Sequence, residues 1–130
     1  MNILSNTLNR EEIKQIAHHD DFHIAPNRPD GETFGSLTWI WSVEVDGQLF
    51  VRPYYGQQSR WYQAALKQEQ GKITGGGLEK LVRFAPVDGP IQEAIDAAYR
   101  AKYAGSPYLS AMISDRAKSG TIQILPAANA

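Results

Sequence analysis

Cysteine is absent from the 130 residues, which excludes a disulfide framework, a thiolate nucleophile and any sulfur-ligated metal, and fits a reducing compartment. No stretch approaches the eighteen or so consecutive apolar residues of a membrane-spanning helix. The opening "MNILSNTLNREE" lacks the basic segment and apolar run of a signal peptide, so a cytoplasmic protein is expected. An excess of either charge is missing too. Thirteen Lys and Arg stand against fourteen Asp and Glu, a net charge of −1, so no global field draws the chain to nucleic acid or to an anionic membrane. Any anion must be held locally. Repeats, low-complexity tracts and linkers are also lacking, and an apolar fraction of 42% suits one globular domain over residues 1–130.

Familiar catalytic strings are missing as well. "GKITGGG" lacks the terminal Gly-Lys-Ser/Thr of a phosphate-binding P-loop and reads as a turn. Ser59, Ser106 and Ser110 lack a Gly-x-Ser-x-Gly elbow. His18, His19 and His23 with Asp20 and Asp21 hold the atoms of a metal site, but adjacent helical histidines point apart, so the default is a frayed polar helix end and no metal. "YRAKYAGSPY" is read as an amphipathic helix with aromatics inward and cations solvated.

What is present orders itself clearly. Asn9 and Glu12 form a capping box for a short helix with Ile13, Ile16 and Ala17 on one face. "DFHIAP" is a brief extended segment, followed by the loop "NRPDGETFGS" with Arg28. "LTWIWSVEVDGQLFVRPYY" predicts a long antiparallel hairpin turning at Asp46-Gly47. A two-residue turn puts Trp39, Trp41 and Val43 on the face of Phe50 and Arg52; a bulged turn pairs them with Leu49, Val51 and Pro53. The sequence leaves both open. A helix from about Arg60 to Gln70, with Ser59 as N-cap, carries Trp61, Ala64, Ala65 and Gln68 on one face. A second hairpin follows around the "GGG" turn. Then comes the clearest helix, with Pro90 in its first turn, a stripe of Ile91, Ala94, Ile95, Ala98 and Tyr99, an Asp96–Arg100 pair, and Gly105 closing it. A further helix from Ser106-Pro107 carries Tyr108, Leu109 and Met112, and "GTIQILP" is a final strand. At least five strands with few helices predict a mainly β, α+β fold: a small antiparallel barrel, closed to remove its edges.

"VRPYYGQQSRWYQAAL" (51–66) runs a strand arginine through Pro53 and a glycine into a helix opening Ser-Arg-Trp. Its plain reading is strand, loop and amphipathic helix. Its sharper reading is a pocket for a phosphate and an aromatic ring.

The segments "IAPNRPDG", "IWSVEVDGQLFVRPYYG", "WYQAAL", "GGGLEKLVRF", "IDAAYRAKY" and "SPYLSAM" resemble the bacterial family catalogued as domain of unknown function 2255 across nearly the whole chain. More distantly, the order of elements is similar to the flavin-binding split barrels, especially the deazaflavin-dependent reductases. That resemblance implies a small split β-barrel of about five to six strands with flanking helices, usually a homodimer, holding FMN or a deazaflavin by its phosphate. By position it implicates Arg28 in the first loop and Arg52, Gly56, Ser59, Arg60 and Trp61 in the second. Such a cofactor needs charged donors, backbone N–H groups and an aromatic wall, for which Tyr55 and Trp61 stand beside the ring. The deazaflavin branch's Gly-Arg-Lys-Ser-Gly loop is absent, so a barrel binding another small anion or a protein partner is the alternative function. For single residues the structural alternative is that Arg52 pairs with Glu44 or another carboxylate, Ser59 only caps, and Trp61 packs inward.

Overall fold

The computed structural model describes residues 5–127. Helix α1 (Arg10–Ala17) starts at the expected capping box: the Glu12 N–H donates to Asn9 Oδ1 at 2.9 Å and the Asn9 N–H to Glu12 Oε1 at 3.0 Å. Ile13 and Ile16 are buried beneath it. Strands β1 (His23–Pro26), β2 (Thr38–Trp39), β3 (Ser42–Val45) and β4 (Gln48–Val51) precede helix α2 (Arg60–Gln68). Strands β5 (Gln70–Gly75) and β6 (Leu78–Pro86), helices α3 (Ile91–Lys102), α4 (Leu109–Met112) and α5 (Asp115–Lys118), and strand β7 (Ile122–Pro126) complete the order.

The β3–β4 hairpin turns on two residues, both with positive φ, Asp46 at 51° and Gly47 at 77°, which matches the twist of the flanking strands. The Glu44 carboxylate accepts the Gly47 N–H at 2.6 Å. This register sets Val43 opposite Phe50 and places Arg52 on the Phe50 face. The long hairpin expected over residues 37–55 is cut short. Thr38–Trp39 pairs with β1 instead, with His23 opposite Trp39. In the continued hairpin Ile40 would face Pro53, which has no N–H for the ladder, so pairing ends with Ser42 opposite Val51.

All ladders are antiparallel, in the order β2-β1-β5-β6-β7-β4-β3. Laid flat, six inter-strand spacings separate β2 from β3 by roughly 29 Å. Yet only Ile40 and Trp41 join them, a reach of at most about 11 Å. The sheet must curl until its two ends nearly meet. It is therefore an antiparallel half-barrel of seven strands with flanking helices, an α+β fold. The antiparallel barrel-like α+β fold expected from the sequence is the one the chain adopts, with the barrel left open: β2 and β3 do not pair, and the seam between them is bridged by chain continuity.

Two cores result. Inside the curl lie Ile16, Ile24, Leu49, Ile73, Ile122 and Ile124 with their neighbours, covered by α1 and α2. On the outer face of β3–β4, α3 packs Ile95, Tyr99 and Tyr103 over Trp41, Val43 and Phe50. The α3 stripe is rotated from the expected one: Gln92 and Asp96 are buried beside Ile95 and Tyr99, while Ala94 is exposed. The cause is Arg52, which draws two polar groups inward. The expected Asp96–Arg100 pair gives way to Asp96 with Arg52 and Lys118. In α2 the buried positions are Tyr62 and Ala65, whereas Trp61, Ala64 and Gln68 are half-buried. After Pro107 there are two single-turn helices in place of one, the second capped by the Ser114 hydroxyl.

Candidate functional site

The seam opens into a cleft of about 620 Å³. Its walls come from four places: the β2–β3 crossing (Trp39, Ile40, Trp41), the segment after β4 (Tyr54, Tyr55), the start of α2 (Ser59, Arg60, Trp61) and α4 (Tyr108, Met112). Six aromatic side chains thus surround one space. Trp41 is fixed from behind by Tyr103, stacked at 3.8 Å and 4° between planes. Trp39 is half exposed and anchored by its indole N–H, which donates to the Asp20 carbonyl at 2.9 Å. Tyr54 stands edge-on to Tyr55 and Tyr108. The Arg116 guanidinium lies 5.7 Å from the Tyr54 ring centre.

Arg52 forms the floor, and it is fully buried. Its Nε donates to Thr121 Oγ1 at 3.0 Å, one terminal nitrogen to Asp96 Oδ1 at 2.6 Å and to the Met112 carbonyl at 3.0 Å. The other reaches Gln92 Oε1 at 2.7 Å and the Gln92 carbonyl at 3.5 Å. All five donors of the guanidinium face protein acceptors, so none is free for a ligand. The fork also sits 5.3 Å from the Tyr99 ring centre. Burial works against the Asp96 carboxylate, but hydrogen bonds from Lys118 and Arg52 outweigh it and hold its pKa below the usual range. Burial pushes the Tyr99 and Tyr103 phenols well above theirs.

Of the residues singled out in the sequence, the fold brings Arg52, Tyr55, Ser59, Arg60 and Trp61 to this one cleft. Ser59 occupies the N-cap position of α2, but its hydroxyl makes no capping bond. Arg60 is exposed at the rim. Gly56 lies outside the lining, in a one-turn helix (Gly56–Gln58), with φ at 74°. A Cβ there would sit 2.6 Å from Arg116 Cγ, so glycine lets this turn seat against α5. Arg28 is also outside, exposed in the loop after β1. That loop is organised by Asp30, whose pKa falls to about 2 because the Thr33 hydroxyl and then the Glu32 and Thr33 N–H groups donate to it. The histidines are spread: His19 Nδ1 meets the Gln15 carbonyl and His23 Nδ1 that of Asp21.

Sequence reasoning missed Trp39, Trp41, Tyr54 and Tyr108 as lining residues. The usable signal was Pro53: once it stops the hairpin, Trp39 must leave β4 and the two tryptophans fall at a seam.

All of the lining residues fall within residues 12–124, the span that matches the family described as "uncharacterized protein conserved in bacteria (DUF2255)". The chain belongs to this family. No curated protein matches the sequence. Membership carries no reaction, so the chemistry rests on the cleft. Among the described residues, no helix is long and apolar enough to cross a membrane.

Proposed function

We propose that the seam cleft binds a flavin or deazaflavin by ring and phosphate, and that the chain acts as a reductase through it. The observation that carries this reading is the cleft's composition: six aromatic rings around about 620 Å³, with arginine supplying its charged lining among the described residues. That volume lies within the usual range for cofactor sites. A flat, electron-poor ring system fits between Trp61, Tyr55 and the Tyr103-backed Trp41. Arg60, the Ser59 hydroxyl and the free N–H groups in the first turn of α2 take the phosphate. Arg52 fixes the floor beneath them, while Arg28 stays in solvent. When bound, such a cofactor supplies hydride transfer of its own. The chain's part is to hold the ring, exclude water from its buried face and set its orientation. In the same reading a second copy covers the apolar rim of Trp39, Tyr55 and Tyr108, giving a homodimer.

Thermal melting with FMN, and with riboflavin as the phosphate-free control, tests this. At a hundred times its dissociation constant, a ligand adds about 2.7 kcal/mol, which raises Tm by several degrees in a domain of this size. FMN is expected to give that shift and riboflavin a clearly smaller one. Equal shifts would remove the phosphate contacts from the reading. The absence of a shift with FMN and with a deazaflavin would leave the alternative, a barrel that binds another anion or a protein.

A further inference from the structure

A second groove, of about 500 Å³, lies on the far side of β3 between α1 and α3. Lys14 and His18 come to it from α1, Glu44 from β3, and Ala98, Ala101 and Lys102 from α3. The alanines leave room that longer side chains would fill. Lys102 is half-buried, and its Nζ donates to the Ser42 carbonyl at 2.7 Å and lies 5.2 Å from the Tyr103 ring centre. One N–H is therefore tied to the strand. On loss of a proton, the lone pair is left for another partner.

We propose that Lys102 captures small anionic carbonyl compounds, such as 2-oxo acids, as a Schiff base in this groove, with Lys14 and His18 holding the carboxylate. The neutral Nζ attacks the carbonyl carbon and a C–N bond forms. The two hydrogens of the amine leave with the carbonyl oxygen as water, and the imine remains. No oxidant or reductant is consumed.

The surroundings favour the free amine. Burial lowers the Lys102 pKa from 10.5 to about 8, with Asp20 and Asp21 drawing it partly back up. At that pH about half of Lys102 is neutral, against roughly 0.3% of an ordinary lysine. The carboxylates around it are committed elsewhere. Asp20 Oδ1 accepts the Tyr103 hydroxyl at 3.2 Å, Asp21 Oδ1 the Gly76 N–H at 2.9 Å, and Glu44 the Gly47 N–H. Tyr103 itself stays protonated, and Lys14 and His18 complete the groups facing the groove.

The test is reductive trapping of the full chain with glyoxylate and cyanoborohydride, from below to above pH 8, read by peptide mapping. Lys102 is expected to be labelled about tenfold faster than Lys67 or the other lysines, with half-maximal rate near the pKa of about 8. Glyoxylate should outpace neutral propionaldehyde at Lys102, and Lys14→Gln with His18→Gln should erase that preference. Lys102→Arg keeps the charge and the bond to Ser42, so it should melt like the parent and take no label in its tryptic segment. Labelling of Lys102 no faster than Lys67 would overturn the proposal. Equal rates for glyoxylate and propionaldehyde would overturn it as well, since the anion contacts define the site. Neither result depends on the seam cleft.

Discussion

Replacing Arg52 with alanine is expected to destabilise the protein by about 3–5 kcal/mol, because it leaves the buried Asp96, Gln92 and Thr121 without their shared donor. In a domain of this size that lowers Tm by roughly 10–20 °C. The guanidinium joins the end of β4 to α3, α4 and the residue before β7, so its loss uncouples four parts of the fold at once. Arg52→Lys should recover little, since an ammonium cannot reach acceptors spread across a planar fork. The double variant with Asp96→Ala should cost clearly less than the sum of the singles, because the carboxylate that keeps only Lys118 once Arg52 is gone is removed with it. Acid adds a second readout. The Asp96 pKa is lowered on folding, so its stabilisation is present above 3.8 and fades as pH falls through the folded value. Arg52→Ala should flatten that acid limb. Urea unfolding of the variants at neutral and acidic pH measures both effects, and an Arg52→Ala protein as stable as the parent would show that the network contributes nothing.

Arg60→Ala is expected to do the opposite: leave the fold intact and weaken FMN. Its side chain is exposed, so the change in stability should stay within about 0.5 kcal/mol. A hydrogen bond to a charged group is worth about 1.5–3 kcal/mol, which predicts a rise in the Kd for FMN of roughly 10- to 150-fold. Riboflavin, without the phosphate, should bind the variant and the parent alike. Arg60→Glu should weaken FMN further by adding repulsion at the rim. Equal FMN affinity in parent and variants would take the phosphate away from the start of α2.

The pairing of these two arginines shows how far the sequence could be read. Local rules carried the capping box at Asn9, the Asp46-Gly47 turn, both hairpin turns and α3, because each depends on residues within a few positions. Partners distant in the chain were not legible. Asp96 looks like a helix-surface partner of Arg100 four residues on, yet its cations are Arg52, 44 positions away, and Lys118. Nothing in residues 51–66 distinguishes an arginine aimed at a ligand from one aimed at α3. The turn register decided it: a two-residue turn sends Arg52 to the outer face under α3, where a bulge would have sent it into the curl. Trp39 and Trp41 misled in the same way, since alternation runs through them without a break while the chain crosses from one sheet edge to the other. Their part in the cleft depends on Pro53 across the ladder and on the curl of seven strands. Tyr108 lies in a segment whose amphipathic pattern points inward, yet it stands exposed at the start of α4 on the cleft wall.

The most direct measurement is quenching of FMN's own fluorescence as the protein is titrated in. Rings stacked against Trp41 and Trp61 lose emission, so the account predicts saturable quenching at one FMN per chain in the parent protein. The same titration with Arg60→Ala should saturate only at much higher protein concentration, and with Trp61→Ala should leave the bound flavin brighter. Undiminished emission from FMN and from a deazaflavin at every protein concentration would contradict the claim that the seam is a flavin site.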